Sequence, residues 1–286
     1  MRARDRTHVG APSGHLTCRC RYRGSFSVDP RCGIQFCIDR YETMLLSAHK
    51  GISGLIGRRA SWCKCALQEG IDTLKYAIIG SGNIGSAVAR QFARAGIAVG
   101  VATSRGPDAV APLVEAIGPQ VVPVEVGDAL LADYVILATP FEAVRELTEQ
   151  IADWGGRIII DATNAIDYTD FSAADLGGKP SSDVIQDMAP SARVVKAFGH
   201  TWARVLAREP GDEHGGRRVQ FLSGNHSDAN AEVAQLIEQL GFAPIDLGGT
   251  GQGGLLIQFG GPLTAHSFIS QPIGGASPPE MDLIDP

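Results

Sequence analysis

The sequence predicts an α/β fold: a doubly wound, mostly parallel sheet with a small C-terminal α/β extension. Three observations predict it. From Leu74 onward, short apolar runs alternate with segments of helical periodicity, the pattern of βαβ units. Two of the runs, Tyr134–Ala138 and Arg157–Asp161, are apolar almost throughout, as strands buried on both faces are. The first run leads straight into Gly80-Ser81-Gly82-Asn83-Ile84-Gly85, a Gly-x-Gly-x-x-Gly turn that opens a helix. That is the dinucleotide-binding arrangement of Rossmann-like sheets.

The elements follow in order. Lys75–Ile79 forms the first strand. Gly80 permits the tight turn, Gly82 lets a pyrophosphate approach the backbone, and Gly85 lets the helix lie close to the strand. The helix from about Asn83 to Ala95 presents free N–H groups at its positive end, where an anion is held. Gly80, Ser81, Gly82, Asn83, Ile84 and Gly85 are therefore the first cofactor-binding candidates. Ala98–Ala102 is the second strand. Pro107 opens a helix with Val110, Leu113, Val114 and Ile117 at helical spacing, ended by Gly118-Pro119. Val121–Val124 gives a short strand, Asp128–Ala132 a brief helix, and Tyr134–Ala138 a central strand that stops at Thr139-Pro140.

A helix from about Glu142 to Ile151 precedes Arg157–Asp161, which stops at Ala162-Thr163-Asn164. A helix over Ser182–Met188 and a strand over Val194–Phe198 come next, then a strand at Arg218–Leu222, an amphipathic helix at Ala229–Leu240 and a strand at Ala243–Leu247. Gly248–Gly254 reads as a flexible connection, or else as a place where, with Gly260–Pro262, a ring system can approach the backbone. Leu255–Ser270 is apolar enough for a terminal helix, interrupted by Gly260-Gly261-Pro262, and that helix offers a face for a homodimer.

Four segments are thus expected: a poorly structured leader at 1–73, an NADP-binding Rossmann domain at 74–200, an α/β portion at 201–270 that completes an acceptor pocket, and a loose tail at 271–286. The leader differs from the body in chemistry. It holds 12 Lys+Arg against 6 Asp+Glu, whereas 74–286 holds 13 against 25. All six cysteines lie between Cys18 and Cys65, at spacings that match no common zinc framework. An upstream stretch included by a mis-set start, with Leu74 near the true beginning, accounts for it; a metal-binding or redox module and a targeting segment are the alternatives. The acidic body argues against nucleic acid and anionic membranes as partners. No apolar run approaches the roughly 20 residues of a membrane span, and no secretory signal is visible, so a cytoplasmic location is expected.

Ligands of open α/β sheets bind beyond the carboxyl ends of the strands. Four ends converge on one crevice here: Gly80–Gly85, Ser104–Arg105, Thr139–Pro140 and Ala162–Asn164. The second strand decides the dinucleotide. Counting about 20 positions from Gly85, where an NAD site carries a carboxylate for the ribose 2′-hydroxyl, lands on Arg105. Ser104 and the forked donors of Arg105 suit a 2′-phosphate, so NADP(H) is expected. Thr139 and Pro140 follow the phosphates and ribose, and Asn164 reaches the nicotinamide side; the plain readings are a turn dipeptide and a helix cap.

These motifs together resemble the NADPH-dependent reductases of the deazaflavin coenzyme F420. Lys75-Tyr-Ala-Ile-Ile-Gly-Ser-Gly-Asn-Ile-Gly, Thr103-Ser-Arg, Ala138-Thr-Pro, Asp161-Ala-Thr-Asn, Val194-Val-Lys-Ala-Phe and Gly241-Phe-Ala-Pro-Ile-Asp-Leu-Gly-Gly occur in the expected order over residues 74–270. The resemblance implies hydride exchange between NADP(H) and coenzyme F420 or a related flavin as second substrate, with NADP(H) on Gly80–Gly85 and its 2′-phosphate on Ser104 and Arg105. The chain departs from many relatives at Gly199-His200-Thr201, where Asn-Thr is common. His200 is then a candidate to donate to the carboxamide or the acceptor ring, against the alternative of a loop histidine bonded locally. Lys196, a charge within a strand, is expected at the crevice or a sheet edge. Similar domains serve flavin-dependent ferric or cupric reductases, other-acceptor reductases, or a sensor that binds NADP(H) without turnover. The chain offers no convincing nucleophile or carboxylate pair, which suits hydride transfer between stacked rings.

Arg105→Glu is expected to weaken NADPH binding by about tenfold or more, the worth of a charged hydrogen bond, and to spare NADH. An equal loss for both dinucleotides in a binding titration removes the 2′-phosphate assignment.

Overall fold

The apolar runs become strands because each has somewhere to bury both faces. The computed structural model describes residues 74–271; the expected leader at 1–73 and the tail beyond Gln271 lie outside the described residues. The strands are β1 (Tyr76–Ile79), β2 (Val99–Ala102), β3 (Val121–Pro123), β4 (Tyr134–Leu137), β5 (Ile158–Asp161), the small pair β6 (Ile166–Asp167) and β7 (Ser172–Ala173), β8 (Arg193–Ala197), β9 (Arg217–Gly224), β10 (Ala243–Asp246) and β11 (Ile269–Ser270). The main sheet runs β10-β9-β8-β5-β4-β1-β2-β3, with β11 on β9. From β3 through β8 every pairing is parallel; β9 runs antiparallel to β8, and β10 parallel to β9. The chain reverses its direction of travel across the sheet between β1 and β4, the position at which doubly wound sheets bind ligands.

Alternation along the strands divides the core. Tyr76 and Ile78 of β1 point to one face, where they meet Val88 and Phe92 of the Asn83–Arg94 helix and, farther along, Val233 and Ile237 of the Ser227–Gln239 helix. Ala77 and Ile79 point to the other, against Val144 of the Val144–Thr148 helix and Ile185 of the Ser181–Met188 helix. Each large side chain buried in this way contributes about 1.5–3 kcal/mol. Both faces are therefore covered by helices, and the fold class agrees with the sequence.

Two glycines allow the first turn. Gly80 has φ +113°, and a Cβ there would lie 2.3 Å from the carbonyl oxygen of Ala138. A Cβ on Gly85 would lie 1.9 Å from the oxygen of Gly80, so the helix reaches β1 only without a side chain at that point.

Three expectations fail in detail. Leu255–Ser270 is not a terminal helix: a π-helical turn at Thr250–Gly254 runs into a short helix at Leu255–Ile257, and the chain then turns through Gly260-Gly261-Pro262 into β11. Gly260 at φ +83° and a proline two residues later end any helix, so the dimer face assigned to that helix has no basis. Gly248–Gly254 is a tied turn, with Thr250 buried and donating from its hydroxyl to Asp183 Oδ1 at 2.6 Å. The hairpin β6–β7 was not anticipated, because strands of two residues carry no periodicity. No described helix is long and apolar enough to cross a membrane.

Gly85→Ala is expected to cost about 3 kcal/mol or more, the upper range of overpacking, because the obstructing atom is backbone. Chemical denaturation measures it; a loss under about 1 kcal/mol contradicts the packing argument.

Candidate active site

The carboxyl ends of β1, β2 and β4 enclose a cleft of ≈ 510 Å³. Seven of the residues singled out from the sequence line it together: Gly80, Ser81, Gly82, Ser104, Arg105, Thr139 and Pro140. Each arrives from a strand end. Gly80 continues β1 and donates its N–H to Ala102 O at 2.8 Å, which ties the turn to β2. Thr103 ends β2, and its Oγ1 accepts the N–H of Arg105 at 3.2 Å, so the backbone at the cleft mouth is held by the side chain before it. Ser104 and Arg105 are exposed, and the Arg105 guanidinium makes no ion pair among the described residues. Thr139 Oγ1 is buried and has no partner.

Asn83, Ile84 and Gly85 form the first helical turn and do not line the cleft. Gly82 caps that helix without a side-chain hydrogen bond, and no acidic residue stands in the first turn. The positive end of the helix dipole is thus left uncompensated beside the cleft. Gly82 differs from its two neighbours in the motif. Its φ is −71°, open to any residue, and a Cβ would meet nothing within 4 Å. The fold does not require glycine there; the space a side chain would take belongs to the cleft. The residues present therefore fit a pyrophosphate on the turn and a 2′-phosphate beside Arg105.

Sequence reasoning missed the cleft's far wall. Val126, Ala143, Glu146, Leu147 and Gln150 line it, from the segments that follow β3 and β4. Their helical spacing was readable, but which helical face turns toward the crevice depends on the crossovers. No residue of 201–270 lines this cleft.

Asn164 and His200 are brought together elsewhere, beyond the ends of β5 and β8. Asn164 Nδ2 donates to Gly199 O at 3.3 Å, while its Oδ1 is buried without a partner. His200 is 3% exposed, its ring edge-on to Phe221 at 5.2 Å between centroids. Its Nδ1 has no partner either, nor has Thr201 Oγ1. The local backbone bond considered as an alternative for the His200 ring is not made. Burial, with a smaller contribution from the Lys196 charge, pushes the His200 pKa down to about 4, so the ring is neutral near pH 7. Lys196 reaches neither crevice nor sheet edge. β8 is an interior strand, and its ammonium is buried 3.0 Å from Asp161 Oδ2. The signal for this pair was present: opposite charges at the ends of two otherwise apolar strands.

His200 gives a pH dependence of defined sign. Its unfolded pKa of about 6.5 lies above its folded value of about 4. Between those values the unfolded chain takes up a proton that the folded chain refuses, so stability falls as pH falls through that window. Relative to the wild type, His200→Gln is expected to lose roughly 3 kcal/mol less between the two limits. Denaturant unfolding across the window checks it; parallel profiles contradict it.

Residues 75–165 match the sequence model of a family described as NADP oxidoreductase, coenzyme F420-dependent. A hypothetical protein from Sinorhizobium meliloti, of solved structure, is 48% identical, with 69% of this chain and 96% of that chain covered at a TM-score of 0.67. A candidate F420-dependent NADP reductase from an Arthrobacter species is 29% identical, with 62% and 85% covered at a TM-score of 0.53. The metalloreductase STEAP3 of Rattus norvegicus is 27% identical over 178 residues, 61% of this chain; the chain spans 34% of that curated relative's length. With the glycine turn, the switch-point cleft and these likenesses in hand, the chain is assigned to the family of coenzyme F420-dependent NADP oxidoreductases.

Proposed function

We propose that this chain binds NADP(H) in the Arg105 cleft and transfers a hydride between it and coenzyme F420 or a related flavin. The observation that carries the dinucleotide half is Gly82, a glycine the fold does not need, beside a helix end that lacks a negative charge. Ser81 and Gly82 offer backbone N–H groups to the pyrophosphate, and Ser104 and Arg105 take the 2′-phosphate. Thr139 and Pro140 border the path toward the nicotinamide. Bound there, NADPH would supply a hydride from its nicotinamide ring.

Asn164 and His200 are the side chains we assign to the transfer end. Neither is asked to move a proton in this reading: a neutral His200 and an amide can orient a carboxamide and stabilise shifting charge by hydrogen bonding. The buried setting keeps water from the reacting rings, and the 201–270 portion is assigned to the wall on the acceptor side. The deazaflavin is favoured as acceptor by the family match and by the Arthrobacter relative. A second reading, a flavin that passes electrons on to a metal ion, is favoured by the likeness to a metalloreductase.

Two outcomes are expected. Gly82→Ala should leave stability within about 0.5 kcal/mol yet weaken NADPH binding measurably in a fluorescence titration; unchanged affinity contradicts the pyrophosphate assignment. NADPH oxidation, followed by absorbance with coenzyme F420, FMN, FAD and ferric chelate offered separately, should be fastest with the deazaflavin. Turnover confined to flavin or iron transfers the assignment to the second reading, and binding without any turnover leaves a sensor.

A further inference from the structure

β5 and β8 each end in a charge that the apolar sheet around them does not call for. Asp161 and Lys196 are direct register partners, their side chains 0% and 2% exposed. Withdrawing two ions from water costs several kcal/mol for each, and an apolar pair of similar volume is often as stable or more so. Stability alone therefore does not explain this pair, and its contacts suggest what does. Asp161 Oδ1 accepts the N–H of Thr163 at 2.9 Å and its hydroxyl at 2.7 Å. Oδ2 accepts the Ser182 hydroxyl at 2.6 Å and Lys196 Nζ at 3.0 Å. Lys196 Nζ also donates to Thr163 O at 3.2 Å. Thr163 is thus held by its N–H, its hydroxyl and its carbonyl at once.

The next residue is Asn164, which reaches Gly199 O on the neighbouring loop. That loop leaves β8 through Phe198 at φ +64°, a conformation side chains rarely adopt. It then passes so close to the Asp161 loop that a Cβ on Gly199 would lie 3.2 Å from Ala162 O and 3.3 Å from Thr163 O. Three buried polar atoms without partners lie on these two loops: Asn164 Oδ1, His200 Nδ1 and Thr201 Oγ1. Buried polar atoms are nearly always satisfied, and those that are not call for an explanation such as a ligand.

We propose that Asp161 and Lys196 form a positioning pair for hydride transfer: by gripping Thr163 they set Asn164 against the Gly199–Thr201 loop, with the unpartnered atoms of both loops oriented toward the nicotinamide end of the bound dinucleotide and the acceptor. This rests on the hydride-transfer reading above. The pair touches neither substrate and acts through the backbone of its neighbours. The same ammonium adds to burial in keeping the His200 ring uncharged, so that ring meets its ligand as a neutral hydrogen-bonding group.

The test replaces the pair by apolar residues. Asp161→Leu/Lys196→Met leaves no orphaned charge and is expected to unfold at close to the wild-type midpoint. NADPH affinity should stay within about twofold, and kcat should fall on the order of tenfold to a hundredfold, the cost of a small misplacement of reacting groups. Amide hydrogen exchange should quicken in 162–164 and 198–201 and remain unchanged in β1 and the Asn83–Arg94 helix. Full kcat with unchanged exchange in a stable double variant overturns the proposal. Ser182→Ala, which removes one donor to Asp161 Oδ2, covers the case in which the double variant does not fold: a few-fold drop in kcat at constant NADPH affinity supports the pair's role, and wild-type kcat contradicts it. If the wild-type protein turns over none of the acceptors, the hydride-transfer reading fails. The exchange measurement then still decides whether the pair orders these two loops.

Discussion

The contact between the Asn83–Arg94 helix and β1 governs much of what this molecule can do. The Gly80 oxygen and the Gly85 Cα approach so closely that no other residue fits at position 85. That closeness brings the helix N-terminus to the carboxyl edge of the sheet, and the cleft opens there because β2 and β4 depart to opposite sides of β1. A wider helix would draw the free N–H groups back from the cleft and loosen the packing of Phe92, whose ring lies 5.2 Å from that of Tyr76. Stability and anion binding are therefore coupled through a single backbone approach, while Gly82, between the two, is released from the fold and free to serve a ligand.

The other half of the candidate site is built on different physics. Beyond β5 and β8 the chain uses a buried ion pair, a strained Phe198 and an unusually near pass of two loops, where the dinucleotide end uses glycine and a helix dipole. The difference follows from what each end must do. A phosphate is highly charged and tolerates an open, solvated cleft lined by exposed Ser104 and Arg105. Hydride transfer needs two rings held at contact with fixed orientation, which favours buried groups that cannot rearrange. Four hydrogen bonds onto one carboxylate provide that rigidity.

Electrostatics keep the two ends distinct. Arg105 stands exposed and without an ion pair among the described residues, so its charge is available to an anion. Lys196 is neutralised in place by Asp161, and its influence is confined to its neighbours, His200 among them. Of two cations near one crevice, one is offered to a ligand and the other is committed to the frame.

Local sequence was sufficient for the sheet and its dinucleotide turn. Strand order through β1, β4 and β5, the jobs of Gly80 and Gly85 and the cluster of Gly80–Gly82 with Ser104, Arg105, Thr139 and Pro140 are all written in short-range patterns: apolar runs, glycine spacing and the residues that end each strand. These signals are legible because the backbone itself demands them within a few residues. What only the tertiary structure decided depends on meetings between distant segments. Nothing near Lys196 tells it that Asp161, 35 residues earlier, will lie beside it. Nothing near Thr250 announces Asp183, and Glu146 and Gln150 face the cleft only because the crossovers place them there. The apolar run at Leu255 misled for the same reason: its hydrophobicity reflected burial of Ile257 against β9 and β10, and glycine and proline cut short the helix that its composition suggested. Composition and periodicity determine which residues seek burial. The partner each one finds is set by the closing of the sheet.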